Sequence, residues 1–339
     1  MTALPVCCLH QALSVPTVPY FGSLPCTHST VRGDYPYVAG GGGGRVTPRL
    51  DNGERYVVEG EIARGGHATV LRAHDRKLRR PVAIKQLANR RPRLEMRFMN
   101  EALITARLQH PSIVPIYDVG SWSDGTLYFA MQLVKGATLA QRIATAADRA
   151  ERLALIPSVI AVTDAVAYAH TQGIIHRDLK PHNVLVGDLG ETIVIDWGIA
   201  KVLSEVDIEG EESDAVGLSH TAAGSVIGTP HYMSPEQAAG AEVDERTDVY
   251  ALGAMLYHLI SGQPPFAELP ARAVIPAVRS ESPAPLADAG QDIPQALIRT
   301  VERAMARDPD ARYRSATGLR EDLTPACNRR SGDRAARAG

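Results

Sequence analysis

The 339-residue chain has four cysteines, at positions 7, 8, 26 and 327, so everything from 27 to 326 lacks a thiol. A disulfide-stapled scaffold is excluded for that region, which suits a reducing compartment. The Cys7–Cys8 pair has no histidine partners at metal-ligand spacing and reads as two thiols in an N-terminal tail. No run reaches the roughly 18 to 20 apolar residues of a membrane span. The nearest, Ala154 to Val162, contains Pro157 and Ser158 and soon meets Asp164, so it reads as a buried helix. The N-terminus has no basic stretch followed by a long apolar one, which argues against a secretory signal. Neither charge sign dominates: the formal charge is −2, giving no reason to expect nucleic acid or an anionic membrane as the main partner. We expect a cytoplasmic protein without internal repeats. Its 45% hydrophobic content is ordinary for a globular chain.

Residues 1–50 read as a flexible leader, with prolines at 5, 16, 19, 25 and 36 and glycines at 40 to 44; a docking tail is the alternative. Tyr56 to Val70 alternates towards a hairpin around Arg64-Gly65-Gly66-His67, and Leu71 to Leu87 continues as strand. Arg93 to Gln109 has helical spacing and offers Met96, Met99, Leu103 and Leu108 for one face. Ile113 to Gly120 and Leu127 to Leu133 read as strands. From Leu139 the pattern is mainly helical. Thr247 to Ser261, apolar nearly all round, predicts a helix at the centre of a lobe, ended by Gly262 and Pro264-Pro265. Ile293 to Arg307 and Leu319 to Leu323 supply further helix, and 324–339 reads as a disordered tail.

The chemistry gathers in His176-Arg177-Asp178-Leu179-Lys180-Pro181-His182-Asn183, followed by Asp196-Trp197-Gly198. These two blocks hold a candidate base, a cation and two oxygen-bearing metal ligands, which is what transfer of a phosphoryl group from a nucleotide requires. Short β-branched stretches, Gly173 to Ile175 and Thr192 to Ile195, flank them as candidate strands. Four further segments occur in order: Val82-Ala83-Ile84-Lys85, then Glu101 in a helical pattern, Gly228-Thr229-Pro230-His231-Tyr232-Met233-Ser234-Pro235-Glu236, and Asp248 with Arg312. In these motifs residues 56–323 resemble the eukaryotic-type protein kinase family, and within it the bacterial serine/threonine kinases.

The resemblance implies an α+β, two-lobed protein kinase fold, with a small sheet-plus-helix lobe over 56–134 and a mainly helical lobe over 135–323. It implies an ATP- and Mg2+-dependent enzyme acting on serine or threonine hydroxyls of protein substrates. In that reading Asp178 is the catalytic base and Lys180 neutralises the moving phosphoryl group. Asn183 and Asp196 hold the metal. Lys85 contacts the nucleotide phosphates and is held straight by Glu101. Ile62, Val70, Ala83, Met131 and Leu185 sandwich the adenine, and the backbone of Gln132 and Val134 meets its polar edge. Asp248 accepts amides of the loop carrying Asp178, and Glu236 pairs with Arg312.

The match weakens at the phosphate-covering loop, Ala63-Arg64-Gly65-Gly66-His67-Ala68-Thr69-Val70, where only the middle glycine of the family's three remains. Alanine at 63 and 68 suggests a stiffer lid and weaker nucleotide binding. Trp197 stands for the usual phenylalanine, and Thr105 is more polar than its family counterparts. A weakly active or inactive nucleotide-binding scaffold is the alternative those alanines motivate; intact Lys85, Asp178, Asn183 and Asp196 oppose it. Six acidic residues lie between 205 and 214, and Ser219, Thr221 and Ser225 follow. Ser225 is the best-placed autophosphorylation site, its phosphate expected to pair with Arg177; Thr229 is expected to contact Asp178 and Lys180. Because many such bacterial kinases carry a sensor domain after the catalytic one, sensing here is expected from the leader, the tail or a separate protein.

Overall fold

The computed structural model describes residues 55–198, 200–202, 219–220, 226–227, 230–286 and 293–324. The leader, the acidic run 205–214, Thr221, Ser225, Gly228, Thr229 and the tail beyond 324 lie outside them. The side chain of Ser219 does too.

Five antiparallel strands form the small lobe: β1 (Tyr56–Arg64), β2 (Ala68–Asp75), β3 (Arg80–Leu87), β4 (Ile116–Ser121) and β5 (Leu127–Gln132), in the order β1-β2-β3-β5-β4. Alternation sends Val82 and Ile84 to one face, where they meet Tyr56, Ala73, Tyr128 and Ala130. The opposite face carries Leu87 and Phe129 against α1 (Pro92–Arg107), which is inserted between β3 and β4. Pro92 suits the first turn of α1, where its missing N–H costs nothing, and Arg107 suits the last.

The buried face of α1 differs in part from the sequence expectation: Leu108, just past its end, is buried as expected. Phe98, Glu101, Ala102 and Thr105 turn inward, while Met96 and Leu103 are 54% and 55% exposed. The inward residues also repeat at i, i+3, i+4 and i+7, and Phe98 decides the matter by packing against Phe129, the rings tilted by 37° with centroids 5.0 Å apart.

The large lobe follows through a short link. It contains β6 (Gly136–Thr138), α2 (Leu139–Thr145), α3 (Arg149–Leu153), α4 (Ile156–Thr171), β7 (Ile174–Ile175), β8 (Val184–Gly187) and β9 (Thr192–Val194). Then come α5 (Pro235–Ala239), α6 (Glu245–Ser261), α7 (Ala271–Ser280), α8 (Gln295–Ala304) and a helical segment over 316–324. Thirteen residues of α6 are buried, so this helix is the lobe's axis. It stops at Gly262, whose φ of 82° is a left-handed conformation that glycine takes without a Cβ clash. Gly253 lets α8 approach: a Cβ there would meet Ala304 Cβ and Met305 Cγ, each at 2.8 Å.

By length and hydropathy the stretch Arg149–Thr171 is apolar enough to cross a membrane, although no uninterrupted apolar run of that length occurs in it. Here it packs inside the large lobe, with Val159, Val162, Ala165 and Val166 wholly buried. Burial on that scale is what a core helix of a globular lobe shows.

Candidate active site

Lys85 leaves β3 on the sheet face shared with α1, opposite Val70 of β2 and Phe129 of β5. Glu101 comes from the buried face of α1. Lys85 Nζ lies 2.5 Å from Glu101 Oε1 and 3.3 Å from Asp196 Oδ1. Burial opposes the ammonium charge, but Asp196 and Glu101 outweigh it and raise the Lys85 pKa.

The loop between β7 and β8 is fastened from below. Asp248, fully buried near the start of α6, accepts the N–H groups of His176 and Arg177, both at 2.9 Å. His170 Nε2 is 2.9 Å from the same carboxylate. Burial pushes Asp248 up, and the His170 hydrogen bond leads the contacts that hold it below its ordinary value. Gln237 Nε2 donates to Arg177 O at 2.8 Å. Arg177 takes a φ of 69°. On this base Asp178 turns upward: Lys180 Nζ donates to its two oxygens at 2.9 and 2.7 Å, and Asn183 Nδ2 to its carbonyl at 2.9 Å and to Oδ2 at 3.2 Å.

Asp196 follows β9 with a φ of 66°, its side chain 45% exposed to the cleft. Desolvation raises its pKa, but Lys85, His176 and Lys180 reverse that and hold it below its ordinary value. Trp197, 1% exposed, lies against His176 with ring centroids 4.5 Å apart. Gly198 keeps the passage open, since a Cβ there would come within 3.1 Å of Glu101 Oε2 and 3.3 Å of Asp196 Oδ1.

The segment read as a lid is the β1–β2 hairpin. Ala63 pairs with Val70, and Gly65 N–H closes the turn onto Ala68 O at 2.8 Å. Arg64, Gly65, Gly66 and His67 are exposed at its tip, and Arg64 is engaged by Glu61. Neither Gly65 nor Gly66 takes a positive φ, and nothing lies within 4 Å of a Cβ at Gly66. Here neither glycine supplies an unusual backbone angle, and open space is found at Gly66 alone. Ile62 sits at a register shift of β1 and is 47% exposed. Ala83 stands opposite Met131, two positions from Lys85 on the same face. Leu185 comes from β8 in the other lobe, opposite Thr138. Gln132 N–H is taken by Pro115 O at 3.3 Å, and among the described residues no backbone partner is shown for Val134 N–H.

Lys85, Glu101 and Asp196 are therefore joined by contacts across two lobes, and Asp178, Lys180 and Asn183 form a second group on the loop between β7 and β8. Such a set can hold a polyanion by its ammonium groups and present a carboxylate to a hydroxyl. Three supports escaped the sequence reading. Gln237 is recoverable in hindsight from Ser234-Pro235-Glu236-Gln237, whose Ser and Gln form a capping box on α5. Arg55 grips Asp75 at 2.9 Å and Asp118 at 2.5 Å and so fixes the root of β1. His170 sits on the apolar helix α4 and carries no signal of its own.

The protein kinase domain family model matches residues 56–322. The serine/threonine-protein kinase PknB of Mycolicibacterium smegmatis is 38% identical over 277 residues, covering 80% of this chain and 42% of that protein. PknB of Mycobacterium tuberculosis is 37% identical over 278 residues, with 80% and 42% covered. PknD of Chlamydia muridarum is 34% identical over 297 residues, with 80% and 31% covered. The chain thus spans less than half the length of these relatives.

Proposed function

The chain belongs to the protein kinase domain family, and on that premise we propose that it transfers the γ-phosphoryl group of ATP to serine and threonine hydroxyls of proteins, in the cytoplasm. The observation that carries this reading is the bridge made by Lys85 between Glu101 at 2.5 Å and Asp196 at 3.3 Å. It joins residues far apart in the sequence, which supports one cleft between a small lobe proposed over 56–134 and a large one over 135–323.

Asp178 accepts the proton of the incoming hydroxyl and aims its oxygen at the γ-phosphorus. Lys180, already 2.7 Å from Asp178, offsets the charge of the phosphoryl group as it moves. Lys85 binds the α- and β-phosphates, and Glu101 keeps its side chain extended towards them. Ile62 to Val70 cover the phosphates. Ile62, Val70, Ala83, Met131 and Leu185 enclose the adenine, with Val134 N–H and the Gln132 carbonyl at its polar edge.

The donor set fits magnesium. Both Asn183 hydrogen bonds run through Nδ2, which leaves its amide oxygen for a cation, and Asp196 presents a carboxylate to the cleft. Among the described residues no cluster of three or more His, Cys, Asp or Glu could hold a metal. Mg2+ is commonly bound by one or two carboxylates plus substrate phosphates. When bound, Mg2+ supplies neutralisation of the phosphate charge.

Acceptors include the chain's own Ser219, Thr221 and Ser225. Arg177 Nε is buried without a hydrogen-bond partner among the described residues, which supports a phosphate partner for it. The test is incubation with labelled ATP, Mg2+ and a generic protein substrate, beside Asp178→Asn. Incorporation that disappears in the variant supports the proposal; nucleotide binding with no incorporation by the unaltered protein refutes it.

A further inference from the structure

The near-neutral total charge conceals an uneven distribution. Residues 55–134 hold thirteen lysines and arginines against seven aspartates and glutamates, although the whole chain has 36 against 38. Four of those cations fall in Arg76-Lys77-Leu78-Arg79-Arg80, where β2 turns into β3.

This turn is fastened from inside. Buried Asp75 accepts the N–H groups of Lys77 and Leu78 at 2.9 and 3.2 Å, and Arg76 N–H donates to Arg55 O at 2.9 Å. Arg55 occupies the carboxylates of Asp75 and Asp118. Arg80 turns back over Tyr117, 3.6 Å from the ring centroid. Arg76, Lys77 and Arg79 are left exposed, and none of the three forms an ion pair among the described residues. Arg79 takes a φ of 50°, a left-handed angle that glycine or asparagine adopts with less strain. A charged side chain is thus kept where the backbone disfavours it, which points to a use for the charge.

Leu78, between these cations in the sequence, is 52% exposed. Edge strand β1 ends beside the turn: the register sets Val57 opposite His74 and Val58 opposite Ala73, and both valines are exposed. Single exposed aliphatics are ordinary on a globular surface. Here three of the seven exposed large hydrophobics among the described residues gather at one end of the sheet.

We infer that this end of the small lobe is a docking surface for the anionic face of a lipid bilayer. Arg76, Lys77 and Arg79 meet headgroup phosphates, while Leu78 and the two valines enter the boundary with the acyl chains. A nucleic acid would engage the cations and leave the aliphatic side chains in water. A second copy of the chain, meeting the turn across a two-fold axis, would set like charges against each other. The inference is independent of the kinase reading and adds a place of work, the anionic cytoplasmic leaflet.

The test sediments the full chain with vesicles of phosphatidylcholine alone and of phosphatidylcholine mixed with phosphatidylglycerol. We expect binding to the mixed vesicles that weakens as salt is raised, and little to the neutral ones. Lys77→Gln and Arg79→Asn should each lower the partition coefficient about fivefold, the worth of about 1 kcal/mol per cation. Arg79→Asn also eases the backbone, so it should melt no lower than the unaltered protein and its loss of binding is not a loss of fold. Leu78→Ser should weaken binding without changing its salt dependence. Equal binding to neutral vesicles, no binding to either at low salt, or a partition unchanged in all three variants overturns the surface. Self-association abolished by Leu78→Ser, or retention on duplex DNA, with no binding to vesicles gives the turn to another partner and overturns it as well.

Discussion

Replacing Arg312 with methionine should be among the most damaging single changes in the large lobe, although the residue lies outside the cleft. Its side chain is fully buried and spends every donor group. Nη1 and Nη2 reach the two oxygens of Glu236 at 2.7 and 2.8 Å. The remaining bonds go to the carbonyls of Ala306, Arg246 and Arg307 at 2.7, 3.0 and 3.1 Å. Methionine fills much of the volume but strands the Glu236 carboxylate and three carbonyls. Breaking one side of a buried ion pair costs about 3–5 kcal/mol. For a domain of this size that lowers the unfolding midpoint by roughly 10 °C. Denaturant unfolding followed by the fluorescence of Trp122 and Trp197 reads the loss in both lobes.

The pH dependence makes the reasoning specific. Burial pushes the Glu236 carboxyl up, but the hydrogen bonds and charge of Arg312 reverse that and hold it below its ordinary value of 4.5. In the unaltered protein its contribution is therefore full above about pH 4.5 and lost as pH falls below it. In the variant burial is left without its main opponent, the carboxyl protonates at higher pH, and folding is favoured by acid. The stability difference should be greatest near pH 7.5 and shrink below pH 5. A difference under about 1 kcal/mol at pH 7.5, or one that does not change with pH, would refute this account of the pair.

Three further outcomes are expected. His258 is held neutral with a pKa of about 4, so the stability it confers is present above the unfolded value of 6.5 and lost as pH falls from there towards 4; the full shift is about 3 kcal/mol, and His258→Gln should flatten that limb of the stability–pH curve. Gly253→Ala should cost about 1–3 kcal/mol by forcing α6 away from α8, read as a lowered melting temperature with the secondary structure intact. Lys85→Met should reduce phosphate incorporation at least about 100-fold and also lower the unfolding midpoint, because it leaves the buried Glu101 carboxylate without its partner.

The two-lobed architecture and the joined side chains were legible because the chemistry constrains identity and order together. A lysine in an apolar β-branched strand, a helical glutamate and two acid-bearing loops have few other reasons to recur at those positions. Packing direction was less legible. Met96 and Leu103 fit a helical stripe as well as Phe98 and Ala102 do, and only the aromatic partner Phe129 on β5 settles which stripe is buried. The large-lobe axis was easier, since a helix apolar on all sides has one place to go. The lid glycines were read through backbone freedom, whereas Gly65 and Gly66 have ordinary φ signs and only Gly66 has open surroundings. His170 and Arg55 stayed hidden because their partners, Asp248, Asp75 and Asp118, are set by the folded chain and not by local spacing.

Asp196 sits at a φ of 66°, where aspartate and asparagine are tolerated far better than most residues. A dead-enzyme control built with alanine there would carry about 1–2 kcal/mol of torsional penalty besides the missing charge. Its silence could reflect a displaced backbone. Asparagine shares the torsional preference of aspartate, so a comparison of the two substitutions separates what the carboxylate does from what the bend does.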